Sequence, residues 1–401
     1  MIIPEASGLE LRTSSLIINR TLAETEPQYA RTKTISTQIT TRTPYLYRSR
    51  DMKDLNGLIA SGEPICSLHI TYLKDATIFA LTFAHLIHGK GYQAIIGGLF
   101  LELDGQPLPP LLGRDPWSVI LPEALESSMP QTGVVWDPES ILRMQQEALD
   151  DTQATGPLQT RTIYFPAHEI IRLKHKAMSE IREAKHSDIK WLSTSDVLAA
   201  WIYQHCYTDL PNNEGNTRFI HPINCRKYFP EAFPPDCTYL HNTILVASAK
   251  PLTVRQLQSM SFGEIARFVR LPAVAHSARE PLLSNLKANY EHQGQLYMPI
   301  APGECMHGTS SWLSFNFGEL SIVKHIKPGS GSGRVVEVIG DGIGKPPCTL
   351  FIKFKDIDGG IVCEMDWGAK RWTSGEMLRY AMEMQEPAPS DSSQLKLRAR
   401  L

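Results

Sequence analysis

Residues 76–96 read Ala76-Thr-Ile-Phe-Ala-Leu-Thr-Phe-Ala-His85-Leu-Ile-His88-Gly89-Lys90-Gly91-Tyr92-Gln-Ala-Ile-Ile96, and this stretch decides the fold. The apolar run 77–84 is short, rich in Phe and followed by glycines, which predicts a fully buried strand rather than a helix. The two glycines allow a tight turn, and helical spacing resumes at Tyr92. His85 and His88 are therefore predicted to lie where a strand passes into a helix, a position that favours a functional site.

The bulk composition limits the function classes that the chain can have. Its 401 residues are too many for one ordinary core and suggest two domains of similar size. The 40 lysines and arginines nearly balance the 42 aspartates and glutamates, so no strong field attracts nucleic acid or an anionic membrane surface. We expect a monomer whose partner is a small-molecule substrate, with no nucleic acid bound.

Cysteine usage and the first residues favour a cytoplasmic location. The seven cysteines are scattered and include no Cys-x-x-Cys pair, which argues against a disulfide framework or a zinc cluster and is typical of a reducing compartment. The chain begins Met-Ile-Ile-Pro-Glu-Ala, without a basic region ahead of an apolar one. No apolar run approaches the roughly 20 residues that span a bilayer, so we expect no membrane span.

Periodicity and turn residues predict a mixed order of strands and helices. Two adjacent antiparallel strands are expected at 64–73 and 77–84, then a helix at 92–103 and a loop-rich crossover. The remaining predicted elements are a helical patch at 138–149, a strand at 159–166, helices from 167 and from 194, strands at 218–224 and 242–249, a helix at 253–270, a meander of strands at 310–320, 334–339, 348–354 and 360–367, and a helix at 373–384. Ser193-Thr-Ser-Asp196 ahead of an Ala-rich run is a strong helix start signal.

Several stretches, taken together in order and spacing, resemble motifs of the BAHD acyltransferase family, in particular its fungal secondary-metabolism branch. They are His85-Leu-Ile-His-Gly-Lys-Gly91, the helix start 191–201, Asn224-Cys-Arg226, Tyr239-Leu-His-Asn242, Ser311-Trp312 and the late loop Gly340-Asp-Gly-Ile-Gly-Lys-Pro346. Most correspond to short motifs of the family: His-x-x-x-Asp-Gly, Asp-x-Arg, Tyr-x-Gly-Asn, Ser-Trp and Asp-Phe-Gly-Trp-Gly-Lys-Pro. Non-ribosomal peptide condensation domains share the fold and the histidine motif, but the Ser-Thr-Ser-Asp helix and the Gly-Lys-Pro loop favour the BAHD family.

The resemblance implies a fold class and a domain organisation. The implied fold is α/β, a two-domain chloramphenicol-acetyltransferase-like fold with mixed β-sheets flanked by helices and a site between the domains. We expect an N-terminal transferase-like domain at 1–136, a crossover linker at 137–160, a C-terminal transferase-like domain at 161–384 and a disordered tail at 385–401, which is rich in Pro, Ser and charge. The implied co-substrate is acyl-CoA, with no tightly bound cofactor.

Some positions depart from the family motifs. The place of the motif Asp is taken by His88, or by Gly89 when the motif is aligned without a gap, so no carboxylate stands there. In the family that Asp pairs with the Arg that corresponds to Arg226, whose burial without an acid would be costly, so either another acid has moved in or the region is more open. His241 replaces the glycine of Tyr-x-Gly-Asn. The histidine motif also comes early, which suggests either that the family's first strand and helix are missing or that the gene model is shortened at its 5′ end.

The resemblance assigns His85 the role of general base. An imidazole titrates near 6.5 and an alcohol far higher, so the proton would leave the attacking hydroxyl in concert with attack on the thioester carbonyl. His88, the second catalytic candidate, either replaces the structural Asp or lowers the pKa of His85 by like-charge repulsion. A metal site on the two histidines is disfavoured, because their spacing comes with no carboxylate or Cys partner.

Other candidate residues have a functional and a structural interpretation. Ser193 and Ser195 could reach a pantetheine arm, although helix capping explains them equally well. Trp312, and Asp341 with Gly342 of the late loop, are candidates for substrate or co-substrate binding, and Lys345 for neutralising a CoA phosphate, although a solvated lysine is the simpler interpretation. Arg226 and Asn242 are expected to be structural and near the site, and Trp312 is also more readily explained by a structural role.

Three hypotheses follow. The leading one is an acyl-CoA-dependent O-acyltransferase that moves an acyl group, most plausibly acetyl, to a hydroxyl of a specialised metabolite. The second is an enzyme on the same scaffold that has lost CoA chemistry and catalyses a cyclisation, isomerisation or pericyclic step. The third is a non-catalytic small-molecule-binding protein.

Overall fold

The computed structural model describes residues 12–25, 31–40, 57, 60, 66–83, 89–131, 133–186, 188–208, 215–317, 335, 338, 348–381 and 397–398. The strands are β1 Arg12–Ile17, β2 Ser36–Ile39, β3 Cys66–Tyr72, β4 Thr77–Phe83, β5 Val134–Trp136, β6 Leu158–Phe165, β7 Asn216–Asn224, β8 Ile244–Ser248, β9 Leu252–Thr253, β10 Leu296–Met298, β11 Cys305–Ser311, β12 Thr349–Lys355, β13 Ile361–Gly368 and β14 Leu397–Arg398. The α-helices are α1 Leu22–Thr25, α2 Gly89–Leu103, α3 Trp117–Glu126, α4 Pro138–Thr155, α5 Ala167–Glu183, α6 Thr194–Tyr207, α7 Val254–Ser259, α8 Phe262–Ala275, α9 Arg279–Glu291 and α10 Ala369–Trp372. Short 3-10 helices span Arg226–Tyr228, Leu313–Phe315 and Gly375–Tyr380.

A mixed sheet forms the centre of the described structure. Its strand order is β2-β6-β13-β12-β11-β7-β8, and β9 pairs with β7. β11 runs parallel to both β12 and β7, whereas β13 runs antiparallel to β12 and β6. A meander has antiparallel neighbours, so the predicted meander is wrong for β11 and β12, which pair in parallel. Its strand at 334–339 lies outside the described residues except for 335 and 338.

The main core lies between one face of this sheet and helices α5, α6 and α8. Helix α6 is buried along nearly its whole length, and Leu198 and Ile202 are fully buried against strand residues such as Ile163 and Phe219. Alternate strand residues face this layer because side chains alternate across a sheet. The predicted class of mixed sheets flanked by helices is confirmed.

A smaller sheet has the order β14-β1-β3-β4. β3 and β4 pair antiparallel, as predicted, with Ile70 opposite Phe79. The prediction that the apolar run 77–84 is fully buried is wrong, because Phe79 is 42% exposed and Thr77 is exposed. An apolar run shows that a strand has little polar surface, but it does not show which face another layer covers.

The structure differs from several predicted element boundaries. Gly89 and Gly91 lie in the first turn of α2, where N–H groups have no intrahelical partner and glycine is tolerated, rather than in a separate turn. The helix predicted at 253–270 is two helices, because Ser261 forms a new N-cap. The strand predicted at 310–320 ends at Ser311, and within 373–381 the predicted last helix is a 3-10 helix.

Elements from the first third of the chain pack on the second half. Helix α3 contributes Ile120 and Ala124 to a second core cluster with residues of β8 and α9, such as Leu245 and Leu282. Strand β2 joins the large sheet beside β6. Two residues of the C-terminal tail, Leu397 and Arg398, pair with β1. None of the helices in the described ranges is long and apolar enough to cross a membrane.

Candidate functional site

The two candidate catalytic histidines lie outside the described residues, but the elements on either side of them are placed. β4 ends at Phe83 and α2 begins at Gly89, so the turn with His85 and His88 joins these two elements. Helix α2 packs against the 3-10 helix Leu313–Phe315, which directly follows Ser311-Trp312. The helix that contains the described end of one motif, Gly89–Gly91, thus packs on the segment that follows another motif more than 200 residues later. Asp341, Gly342 and Lys345 of the late loop also lie outside the described residues.

Ser193 is fully used as the N-cap of α6. Its Oγ accepts a hydrogen bond from the backbone N–H of Asp196 at 3.1 Å, and a carboxylate oxygen of Asp196 accepts one from the backbone N–H of Ser193 at 2.7 Å. This reciprocal capping box satisfies two donors that a helix start would otherwise leave unpaired. Asp196 is 2% exposed and lies 3.5 Å from the guanidinium of Arg270. The geometry supports the capping interpretation of Ser193.

Ser195 lies two residues further along the chain and makes a different contact. Its hydroxyl donates a hydrogen bond of 2.9 Å to Oγ of Ser311, the last residue of β11. The start of α6 is thereby tied directly to the end of a central strand. Both serines that the sequence singled out therefore have protein partners.

Trp312 is half-buried where β11 turns into the 3-10 helix. Its backbone N–H donates to the carbonyl of Ile352 on the neighbouring strand at 2.8 Å. Its ring meets Phe317 edge to face, with centroids 6.4 Å apart. These contacts fix the backbone and one edge of the ring.

Arg226 holds together the loop that contains the Tyr-Leu-His-Asn stretch. Its Nη2 donates to the carbonyls of Tyr239 at 2.7 Å and His241 at 3.0 Å. Its Nη1 donates to the hydroxyl of Thr243, and at 3.4 Å to Oδ1 of Asn224. All four of these acceptors are neutral. The planar guanidinium therefore holds the loop in place with several N–H donors at once. The same set of donors could bind a carboxylate.

The burial of Arg226 has an electrostatic consequence. Desolvation lowers its pKa to about 10, against smaller opposing effects of the Tyr239 phenol and the Cys225 thiol. Burial likewise raises the pKa of Tyr239. The side chain is still protonated at neutral pH, so a positive charge stands behind the loop of His241 and Asn242. Asn242 is half-buried and follows His241 in the chain.

Two residues of this network were missed by sequence reasoning. Asn224 Oδ1 accepts from the backbone N–H of Arg226 at 3.2 Å and from the hydroxyl of Thr243 at 3.2 Å. Asn224 stands at the Asp of the family's Asp-x-Arg motif, which was a signal that it would lie next to the arginine. No signal in the sequence pointed to Thr243, because its contact depends on the pairing of β7 with β8.

The described part of this region can position groups, and it includes the imidazole of His241 in the loop that Arg226 holds. It provides hydroxyls on Ser195 and Ser311, an aromatic face on Trp312, and the positive charge of Arg226. Within the described ranges, no group of three or more His, Cys, Asp or Glu side chains could hold a metal ion.

Comparisons with known proteins place this geometry in context. No family model matches the chain. Among curated proteins, the chain is similar to acetyltransferase adrJ of Penicillium roqueforti, with 26% identity over 235 residues, and to its counterpart in Penicillium rubens, with 25% over 236 residues. Each match covers 56% of this chain and 47% of the relative, so the chain spans about half the length of the curated relatives it matches.

Among solved structures, the chain is similar to TRI101 of F. graminearum, in a complex with coenzyme A and T-2 mycotoxin. The TM-score is 0.58 at 15% identity, over 84% of this chain and 79% of that one. For vinorine synthase the TM-score is 0.55 at 12% identity, over 92% and 76%. The resemblance to BAHD acyltransferases is thus confirmed at the level of the fold, and the similar curated proteins are acetyltransferases.

Proposed function

We propose that this chain transfers an acyl group, most plausibly acetyl, from acyl-CoA to a hydroxyl of a specialised metabolite. The observation that carries the proposal is the packing of α2, which begins directly after the His85 turn, against the 3-10 helix that follows Ser311-Trp312. The acetyltransferase relatives and the coenzyme A in the TRI101 complex support the choice of reaction and co-substrate.

In this proposal His85 is the general base. It accepts the hydroxyl proton as the oxygen attacks the thioester carbonyl, the carbonyl becomes a tetrahedral oxyanion, and the carbon–sulfur bond then breaks to release coenzyme A. The oxyanion needs a preorganised hydrogen-bond donor, and the thiolate leaves with little acid help. His88 stands in the same turn, in place of the family's carboxylate, and is the second catalytic candidate.

Substrate contacts are assigned to the faces next to this turn. Trp312 provides an aromatic wall, and Lys345 of the late loop, with Asp341 and Gly342 beside it, is assigned to the CoA side. Asn242 and Arg226 brace the loop opposite. In this proposal the protein is a monomer that acts in the cytoplasm and binds no cofactor permanently.

The test is product analysis with the purified protein. Wild type, His85→Ala and His88→Ala are each incubated with and without acetyl-CoA and a panel of alcohols that includes deoxynivalenol, a ligand crystallised with F. graminearum TRI101. We expect free thiol and an acetylated product only with wild type and, more slowly, with His88→Ala. His85→Ala should fall at least about 100-fold in kcat/KM, as for loss of a general base. Equal rates in wild type and His85→Ala would contradict the role of His85.

A second candidate function is a rearrangement on the same scaffold without CoA. It is favoured by one specific observation, that no carboxylate stands at the position of the motif Asp in the sequence. Such an enzyme would convert its substrate at the same rate whether or not acetyl-CoA is present. A non-catalytic protein would bind the substrate without converting it.

A further inference from the structure

The two serines at the start of α6 have separable roles, and one of them bears on the proposed reaction. We infer that Ser195 is a positioning residue, which holds Ser311 and thereby Trp312 in place, and that it does not bind the co-substrate. This inference rests on the proposed function, because it names a residue that sets the geometry of the proposed site.

Ser195 lies at a helix start that is held firmly by neighbouring residues. Asp196 closes the capping box with Ser193, and its carboxylate also lies 3.5 Å from Arg270. The guanidinium of Arg270 in turn lies 4.2 Å from the centroid of the Trp191 ring. The helix start is therefore held on both sides by charge and by an aromatic contact. Ser195 stands next to Asp196 in the chain, and its hydroxyl points away from this cap.

Ser311, the partner of Ser195, lies where strand β11 ends and the chain turns. Ser311 is the last residue of β11 and is paired with Ile352 of β12. The next residue, Trp312, keeps one more strand-like hydrogen bond, to the carbonyl of Ile352, before the chain turns. The bond of 2.9 Å from Ser195 to Ser311 is a side-chain bond from outside the sheet that fixes where the turn begins.

This strand end bears on the proposed chemistry. The 3-10 helix Leu313–Phe315 packs on α2, and α2 begins where the His85 turn ends. A shift of the strand end would change the position of Trp312 relative to that turn. Displacements of about 1 Å are enough to cost about 100-fold in rate when reacting groups must be aligned.

Positioning by a serine differs from binding in its kinetic effect. A serine that bound the pantetheine arm would contribute equally to the ground state and the transition state, so its loss would raise KM for acyl-CoA. A serine that only aligns the site contributes to the transition state, so its loss lowers kcat and leaves this KM nearly unchanged. Since the Ser195 hydroxyl already donates to Ser311, we expect the second pattern.

The test compares Ser195→Ala with a matched control, Ser261→Ala. Ser261 is a serine at the start of α8, where its hydroxyl caps the helix as that of Ser193 caps α6, and it belongs to no part of the proposed site. We expect Ser195→Ala to lower kcat by about 10-fold or more with KM for acetyl-CoA within about twofold of wild type. Ser195→Thr, which keeps the hydroxyl, should recover most of the loss. Ser261→Ala should lower the melting temperature and leave kcat within about twofold.

A double-mutant cycle and a spectroscopic measurement complete the test. Ser195→Ala and Ser311→Ala should not be additive, because each removes the same bond. The Trp312 contribution to fluorescence, obtained by subtracting the spectrum of a Trp312→Phe variant in the same background, should become more accessible to acrylamide in Ser195→Ala.

Each alternative outcome decides against one claim. A raised KM with unchanged kcat would assign Ser195 to binding and overturn the inference, as would a pattern identical to that of Ser261→Ala. If wild type releases no thiol from acetyl-CoA with any acceptor, the proposed function fails. The quenching of Trp312 then still tests the positioning role, and unchanged quenching would refute it.

Discussion

The guanidinium of Arg226 shows how one residue can hold several atoms of a loop at once. It bonds the carbonyls of Tyr239 and His241 and the side chains of Asn224 and Thr243, and it thereby connects the end of β7 to the start of β8. A loop with three or four such bonds to one side chain depends on that side chain for its shape. Nearby Lys227 is exposed and makes one cation–π contact with Tyr228.

Replacement of Arg226 by Ala should therefore destabilise the protein. Two part-buried carbonyls and a buried hydroxyl would lose their donor, at a cost of about 2–4 kcal/mol. Arg226→Lys should recover only part of this, because an ammonium lacks the planar fork that reaches both carbonyls. Urea unfolding would measure the free energies, with Lys227→Ala as a control that we expect to lie within about 0.5 kcal/mol of wild type. A loss as small as the control's would show that the loop does not depend on Arg226.

His307 is a core histidine that makes the stability of the protein depend on pH. The side chain is fully buried in β11, its two ring nitrogens have no hydrogen-bond partner in the structure, and its ring lies 4.9 Å from that of Tyr203 and 6.1 Å from that of Phe219. Burial lowers its pKa to about 3. Burial also lowers the pKa of His221. Both imidazoles therefore make the folded state less stable as the pH falls.

The sign of the effect follows from these pKa values. The unfolded chain binds a proton at position 307 below about pH 6.5, whereas the folded chain does not until about pH 3. Stability is thus complete above about pH 7 and falls by up to about 1.4 kcal/mol per pH unit between pH 6.5 and pH 3. Urea unfolding at pH 7.5 and 5.0 should show a loss of about 2 kcal/mol in wild type that His307→Phe reduces. His168→Phe, at an exposed histidine, should leave the pH dependence as it is; if it changes the slope as much, the core assignment is wrong.

At the scale of elements, β12 and β13 share a buried ion pair. Lys353 Nζ lies 2.7 Å from a carboxylate oxygen of Glu364, and the two side chains are 4% and 1% exposed. Glu364 is paired in register with Phe351, and the register shifts between Ile352 and Phe354, where Lys353 lies. Such a pair is costly to break from one side, because the remaining charge is left buried, whereas removal of both charges can be neutral.

Lys353→Met should therefore cost about 3–5 kcal/mol, and the double variant Lys353→Met/Glu364→Leu should regain most of that loss. Urea unfolding of the single and double variants should show a large coupling free energy between the two positions. Arg143→Met, which breaks the exposed pair with Glu139, is the matched control and should change stability by less than about 0.5 kcal/mol. A double variant less stable than Lys353→Met alone would contradict this account.

The elements that sequence predicted well are those with a local signal. Helix α6 was expected from Ser193 and Asp196, and the structure shows this capping box. The break between α7 and α8 had the same kind of signal in Ser261 and Glu264, but continuous apolar spacing concealed it. The partner of Ser195 lies 116 residues away and that of Arg226 13 to 17 residues away, so these contacts depend on strand pairing rather than on spacing. The burial of β4 depends on a covering layer and could not be derived from its own residues.

At the scale of the whole molecule, α3 ties the first third of the chain to the second half. Ile120 and Ala124 are fully buried in the cluster with α9, and Glu123 next to them bonds Arg279 at 2.7 Å. Arg279 also bonds Glu231 at 2.6 Å and lies over the Phe229 ring. Apolar burial and charge pairing therefore hold α3, α9 and the loop after β7 as one unit. A helix held in this way should not unfold on its own.

This arrangement predicts cooperative unfolding of the described structure across the proposed domain boundary. Ile120→Ala should leave a cavity and cost about 2–5 kcal/mol, because Ile120 is 1% exposed and its neighbours come from distant segments. Val119→Ala is the matched control, since Val119 is 37% exposed and faces away from the cluster, so its cost should stay below about 1 kcal/mol. Urea unfolding would be followed by far-ultraviolet circular dichroism and by tryptophan fluorescence. We expect both probes to shift together in Ile120→Ala and to keep a single transition, whereas two separated transitions would show that α3 belongs to a unit that unfolds independently of α9.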